Sequence, residues 1–188
     1  MFTDYLTLLL INMVAGLVLL AGFVYVDLHN QQPRHWAPGF IAAGVIALIF
    51  GVYMTIRWPL PGPFNIAFGE MSTFFGILFL MAGISMAAGW SLLTVAVYAV
   101  FVGLAAIVIG IRIMNLHLTQ SPIIAGIGFI LTGLGGMAAL PVHRFFRQNR
   151  PVRIIAALVL LAAAAIWALT GYGAYWMHLS GFAHYTPR

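Results

Sequence analysis

The sequence Arg57-Trp-Pro-Leu-Pro-Gly-Pro-Phe-Asn-Ile-Ala-Phe-Gly-Glu70 divides a chain that is otherwise almost uniformly apolar. It contains three of the nine prolines and one of the three carboxylates. Each proline lacks a backbone N–H and biases the preceding residue toward extended backbone, so the stretch cannot form a regular helix. A helix is predicted to begin at Glu70. The stretch is therefore expected to be a structured loop that lines the mouth of the protein.

The composition of the 188 residues indicates the class of protein. Hydrophobic residues make up 63% of the chain and charged residues only 6%, whereas soluble domains carry about a quarter charged residues. Because such a chain cannot build a water-exposed surface, we expect an integral protein of the cell inner (plasma) membrane. The absence of cysteine excludes disulfides, thiolate metal sites and thiol nucleophiles.

Long runs without charge predict six transmembrane helices, because a bilayer core requires about 20 apolar residues per helix. The run from Met71 to Ile111 is long enough for two spans and is expected to break at Gly89. The predicted spans are residues 6–26, 38–56, 70–88, 91–111, 122–140 and 154–176. The predicted fold class is all-α, a polytopic membrane protein with a single six-helix domain over residues 1–188.

Similar segments at the ends of the first and fourth spans suggest an internal repeat. Val26-Asp27-Leu28-His29-Asn30 and Met114-Asn115-Leu116-His117-Leu118 are each followed by a short loop and a proline that opens the next helix. Repeats of residues 1–88 and 89–188 would be inverted in the membrane, because three crossings reverse the direction of the chain. This pattern favours an inverted repeat of three plus three helices.

The arginine distribution predicts orientation and partners. All eight basic residues are arginine, and four of them lie in the Arg144–Arg153 loop, which places this loop in the cytoplasm and both termini outside. Anionic lipid head groups are the expected partner of this loop. Nucleic acid is not expected, because the arginines adjoin apolar helices. The glycine-rich fifth span suits close helix packing, and a homo-oligomer is expected.

Polar residues near the ends of the spans are candidates for a functional site. Glu70 is expected to pair with Arg57 or Arg112, although a carboxylate in a first helical turn is also favoured by the helix dipole alone. For Asn65, a hydrogen bond to the loop backbone is favoured over one to a solute. The solute-binding candidates are, at the outer mouth, Arg57, Asn65, Glu70, Arg112, Asn115 and His117, and, on the inner side, Asp27 and His29.

The six histidines offer an alternative chemistry. Two histidines near one membrane face could ligate b-type haem, and the pairs considered are His29 with His143 and His117 with His178. Against this, all six lie at or beyond the ends of the spans, where histidine is common. No nucleophile–base pair, phosphate loop or metal-hydrolase motif is recognisable, so the protein is not expected to be an enzyme.

The stretch from Arg57 to Glu70 resembles a motif of a family of small prokaryotic integral membrane proteins of unknown function. In that family a similar Pro-Leu-Pro-Gly, aromatic, Asn-Ile, Phe-Gly-Glu loop precedes the third span. Length and span count agree over essentially the whole chain. The resemblance implies a family but no activity.

A second resemblance is to the urea and amide channel family, which has six spans, outward termini and an inverted three-helix repeat. The stretch Gln148-Asn-Arg-Pro-Val-Arg-Ile-Ile-Ala-Ala157 looks like the fifth loop of that family, and Ala165-Ile-Trp-Ala168 like part of its sixth helix. This resemblance implies a passive channel for a small neutral polar solute such as urea. The alternatives are a haem-b electron-transfer protein and a non-catalytic accessory subunit of a membrane complex.

Overall fold

The computed structural model describes residues 4–29 and 33–183. Within these residues there is no strand, and six helices are long and apolar enough to cross a membrane. They are α1 (Tyr5–Val26), α2 (Ala37–Arg57), α3 (Met71–Ala88), α4 (Leu93–Leu116), α5 (Pro122–Pro141) and α6 (Arg150–Gly181). The predicted all-α fold with six such helices is confirmed. Asn30, which belongs to the predicted repeat, lies outside the described residues, as do the two ends of the chain.

Local signals in the sequence set several helix boundaries. The side chain of Asn149 caps α6 by accepting a hydrogen bond from Val152 N at 3.1 Å. Pro122 occupies the first turn of α5, where its missing N–H costs nothing. Gly89 ends α3 with φ of 73°, a left-handed conformation that glycine adopts without strain.

Several boundaries differ from the sequence prediction, most clearly those of the third and sixth helices. A π-helical turn over Asn65–Glu70 leads directly into α3, so this helical segment begins five residues before Glu70. Its first hydrogen bond runs from Ala67 N to Pro63 O at 3.0 Å, because the last proline of the loop can still accept a bond. Glu70 therefore lies beyond the first turn. Helix α6 has 32 residues and, at 1.5 Å per residue, a length of about 48 Å, well above the roughly 30 Å of a bilayer core.

Glycines bring α2 against α3 and α4 against α5. A Cβ atom on Gly76 would lie 2.4 Å from Leu48 N, and one on Gly103 would lie 2.5 Å from the carbonyl oxygen of Gly133. Only hydrogen fits at such positions, so the backbones of each pair are in direct contact. The glycines recur seven residues apart on one face of each of these four helices: Gly44 and Gly51, Gly76 and Gly83, Gly103 and Gly110, Gly126 and Gly133.

The third close pair joins α1 with α6, the first and last helices of the chain. The predicted three-plus-three repeat is not shown by this pairing. Such a repeat would relate α1–α2 to α4–α5, yet α4 and α5 pack along their length whereas α1 and α2 touch much less. The helices instead form three close pairs, α2–α3, α4–α5 and α6–α1.

Candidate functional site

A cavity of about 430 Å³ lies among the three helix pairs. Its volume falls within the range of small-molecule sites, about 300–1,000 Å³. Side chains of α1, α3, α4, α5 and α6 form most of its wall, and nearly all of them are apolar. Thr132 and His143 are the two polar side chains among the lining residues. The hydroxyl of Thr132 is already used, since it donates to Gly128 O at 2.8 Å and accepts from Trp167 Nε1 at 3.0 Å.

One end of the cavity reaches the side of the helix bundle that carries the α1–α2 and α5–α6 connections, here called the basic side. His143 and four apolar residues mark this end of the cavity: Leu28, Met86, Leu92 and Val152. Two of these four are chain neighbours of polar residues, since Leu28 lies between Asp27 and His29 and Val152 precedes Arg153. The predicted inner-side candidates are therefore next to the end of the cavity.

Asp27 is buried at the end of α1 and holds the start of the following helix. Trp36 Nε1 donates to Asp27 Oδ2 at 2.6 Å, and His35 Nε2 forms an ion pair with the same oxygen at 2.8 Å. These contacts tie the end of α1 to the short 3₁₀-helix Arg34–Trp36 that precedes α2. The carboxylate of Asp27 thus positions the connection between two helices.

Arg153 makes a second polar connection on the basic side, between α6 and α1. Its Nη1 donates to Tyr25 O at 2.9 Å and to His29 Nδ1 at 2.7 Å. Arginine has no acceptor, so His29 Nδ1 must accept and the proton of the neutral ring sits on Nε2. The side chain of Arg153 is buried, with 8% exposure, and its Nε has no hydrogen-bond partner.

We call Asp27, His29, His35, Trp36 and Arg153 the rim cluster. Sequence analysis identified Asp27 and His29 but grouped Arg153 with the exposed arginines of the loop. The other three arginines of the Arg144–Arg153 loop are exposed: Arg144, Arg147 and Arg150. A signal for the burial of Arg153 exists, since it precedes Trp167 by 14 residues and a heptad-related spacing places both on one helix face.

Within the described part of the chain, no ion pair joins the residues predicted for the outer mouth to one another. Asn65 is fully buried: it accepts from Leu60 N at 2.9 Å, and its Nδ2 donates to the carbonyls of Leu60 and Gly62. It supports the proline-rich loop through the backbone hydrogen bonds that the sequence favoured for it over bonds to a solute. The remaining candidates are exposed, apart from the half-exposed Glu70: Arg57, Arg112, Asn115 and His117.

The predicted pairing of Glu70 with Arg57 or Arg112 is also not found. Ion pairs among the described residues join Asp27 to His35 and Asp4 to His178. Because the π-helical turn begins at Asn65, Glu70 lies five residues into the helical segment. The pairing was expected for a carboxylate at the start of the helix.

On the other side of the helix bundle, where the proline-rich loop lies, a second set of polar contacts joins α1 with α6. His178 Nδ1 donates to Asp4 Oδ2 at 2.6 Å, and the hydroxyl of Thr7 donates to Asp4 Oδ1 at 2.7 Å. Burial raises the pKa of Asp4, but hydrogen bonds from His178 and Thr7 outweigh burial and hold this pKa below its ordinary value of 3.8. The pair α1–α6 is thus fixed by polar contacts at both ends.

The histidines considered for haem have other arrangements. His29 accepts from Arg153, whereas an iron-bound histidine normally donates from its second ring nitrogen. His178 donates to the carboxylate of Asp4. His117 is exposed and ends α4 with φ of 51°. In residues 4–29 and 33–183, no group of three or more His, Cys, Asp or Glu side chains is placed to hold a metal ion.

Comparison with known proteins assigns the chain to a family. No curated protein and no solved structure matches it. Residues 1–181 match the model of a family described as Protein of unknown function (DUF981). This match extends over nearly the whole chain and includes the loop from Arg57 to Glu70, whose sequence resembles the motif of such a family. The chain therefore belongs to the DUF981 family.

Proposed function

We propose that this protein is an integral membrane protein that binds a lipid-like molecule, whose acyl chain occupies the cavity among the three helix pairs. The observation that carries the proposal is the lining, which is apolar apart from His143 and an already bonded Thr132. An apolar chain can fill such a cavity without leaving a polar group unpaired. The six apolar helices are compatible with a multi-pass membrane protein.

Access from the bilayer is expected along the seam between α3 and α4. These two helices touch less than any other pair that follows in sequence, and the cavity is only partly enclosed. The rings of Phe74 and Tyr98 meet across the seam with their centroids 6.5 Å apart. Lipid tails are as apolar as the cavity wall, so binding gains its energy from close contact instead of from transfer out of water.

The passive channel for a small neutral polar solute stays a prediction. Urea or an amide must exchange its hydrogen bonds with water for bonds to the protein, or pay for losing them. The lining supplies no continuous row of polar groups for this exchange. The cavity therefore supports an apolar occupant better than a polar one.

A cavity-filling variant tests the lipid proposal. Ala139 of α5 lines the cavity, whereas Ala162 of α6 is exposed on the outer surface of the helix bundle. We expect Ala139→Phe to lower the lipid that co-purifies in detergent, measured by mass spectrometry per mole of protein, at least roughly twofold, because the ring takes up space that the chain would fill. Ala162→Phe, the matched control, should retain the wild-type amount at a similar melting temperature.

Equal lipid content in wild type and both variants would overturn the lipid proposal. Stopped-flow uptake of urea into proteoliposomes provides the complementary measurement. Faster uptake with the wild-type protein, lost in Ala139→Phe, would establish the channel in its place.

The orientation and the oligomeric state are also proposals. The arginines of the Arg144–Arg153 loop place the basic side in the cytoplasm of a cell whose plasma membrane holds the protein, and the glycine faces suit a homo-oligomer. Reporter fusions at the N-terminus, after Gln148 and at the C-terminus are expected to read outside, inside and outside. Cytoplasmic readings at both termini would reverse the assignment of the basic side, and a cytoplasmic reading at one terminus alone would contradict six crossings.

A further inference from the structure

We propose that Arg153, assisted by His29, binds the phosphate group of an anionic lipid at the basic end of the cavity. This proposal rests on the proposed function, because the acyl chain of the same lipid would occupy the cavity. It names the chemical class of the ligand, an amphiphile whose phosphate head group has a net negative charge, which the apolar lining alone does not specify.

The guanidinium of Arg153 has donors to spare. Of its nitrogens, Nη1 makes both hydrogen bonds to described residues, to Tyr25 O and to His29 Nδ1, and the buried Nε makes none. Buried nitrogen donors are nearly always paired in proteins. Nε together with Nη2 forms the edge with which arginine binds two oxygens of one phosphate or carboxylate group.

Arg153 also forms no ion pair with a carboxylate among the described residues. Asp27 is the carboxylate on this side of the membrane, and its ion pair within the described residues is with His35. Tyr25 O and His29 Nδ1 are neutral acceptors, so they pair a proton of Arg153 without cancelling its charge. Because a buried charge without an opposite charge is costly, an anion at this position would stabilise the side chain.

His29 supplies a further donor to the same place. Its Nδ1 accepts from Arg153, which leaves the proton on Nε2 available. His143, a cavity-lining residue that makes no hydrogen bond to a described residue, lies at the same end of the cavity. Neutral donors beside a single arginine suit one phosphate group, since they add hydrogen bonds without adding a second fixed charge.

Chain neighbours connect the end of the cavity to the rim cluster. Leu28 lines the cavity and precedes His29, and Val152 lines it and precedes Arg153. A chain in the cavity would therefore end beside the arginine. The apolar wall cannot distinguish one lipid chain from another or from the bilayer, so recognition of a particular lipid class falls to this polar end.

The experiment compares lipids that share their chains and differ in charge. Dioleoyl phosphatidic acid, dioleoyl phosphatidylcholine and inorganic phosphate are titrated against the detergent-solubilised full chain, with binding measured by native mass spectrometry and by the shift in melting temperature. We expect phosphatidic acid to bind wild type roughly 10- to 100-fold more tightly than phosphatidylcholine, the range set by charge-assisted hydrogen bonds. Inorganic phosphate should bind weakly, because it has no chain for the cavity.

Two arginine variants with a matched control isolate the site. Arg153→Lys keeps the charge but loses the two-donor edge, and we expect it to lose most of the preference for phosphatidic acid. Arg153→Gln should lose it fully if it folds. Arg150→Gln removes the same charge from an exposed position in the same helical turn and should retain the preference.

Each remaining outcome overturns a defined part of the proposal. If wild type binds both lipids equally and Ala139→Phe weakens both, the head-group site is wrong and the cavity function stands. If neither lipid binds, the proposed function fails as well. Tight competition by inorganic phosphate would indicate a site for free phosphate, and an equal loss in Arg150→Gln would indicate only surface attraction to anionic lipid.

Discussion

Replacing Gly76 by alanine is expected to destabilise the protein, by about 1–3 kcal/mol or more. The added methyl group would lie 2.4 Å from Leu48 N and 2.7 Å from Leu48 Cα. Both atoms belong to the backbone of α2, so no side-chain rotation relieves the overlap and the helices must move apart. Alanine favours helix over glycine by up to about 1 kcal/mol, and the overlap is expected to exceed this gain. Thermal unfolding in a fixed detergent and lipid mixture measures the effect.

Gly173→Ala is the matched control for this experiment. Gly173 lies inside α6, and no atom lies within 4 Å of the position that its Cβ would occupy. Without an overlap, the helix preference of alanine acts alone, so the melting temperature should rise slightly. If Gly76→Ala also raised it, the close contact of α2 with α3 would be wrong.

Replacing Asn65 by leucine is expected to cost about 2–3 kcal/mol, because each lost hydrogen bond is worth about 1 kcal/mol and the loop groups need new partners. The amide of Asn65 bonds Leu60 N, Leu60 O and Gly62 O and thereby fixes the turn between the prolines. Leucine has a similar volume and offers no polar atom. We expect a lower melting temperature and faster proteolysis within residues 58–64.

Asn115→Leu is the comparison variant, since Asn115 is exposed near the end of α4. Surface substitutions of this kind usually change stability by less than about 0.5 kcal/mol. An equal loss of stability in the two variants would contradict the assignment of Asn65 to the support of the loop.

The number of helices could be predicted from the sequence, but their partners could not. In a membrane-spanning helix both the lipid-facing and the packed faces are apolar, so hydrophobic periodicity does not reveal which face meets a neighbour. The seven-residue spacing of Gly44 and Gly51, repeated on α3, α4 and α5, is the signal that would have identified the packed faces. The glycine-rich fifth span alone was recognised from the sequence.

Only part of the candidate site could be predicted from the sequence. Asp27 and His29 follow a long apolar run and stand out in the sequence. Arg153 follows three exposed arginines, and its spacing from Trp167 was not used as a signal of burial. Its contacts with Tyr25 and His29 show the burial directly. The helix start at Asn65 was not predicted, because three prolines in five residues were taken to exclude a helix there. The last of them, Pro63, lacks an N–H, but its carbonyl can still accept the first helical hydrogen bond.

The pairing of α1 with α6 has a consequence for how the protein is made. The α2–α3 and α4–α5 pairs join neighbouring segments, so each can assemble soon after its second helix leaves the ribosome. Helix α1 must wait for α6, because Arg153 meets its partners across 128 and 124 residues of chain. Until then the apolar face of α1 is without its final neighbour and depends on surrounding lipid or on insertion factors. The cavity and the rim cluster therefore form only after α6 has been synthesised.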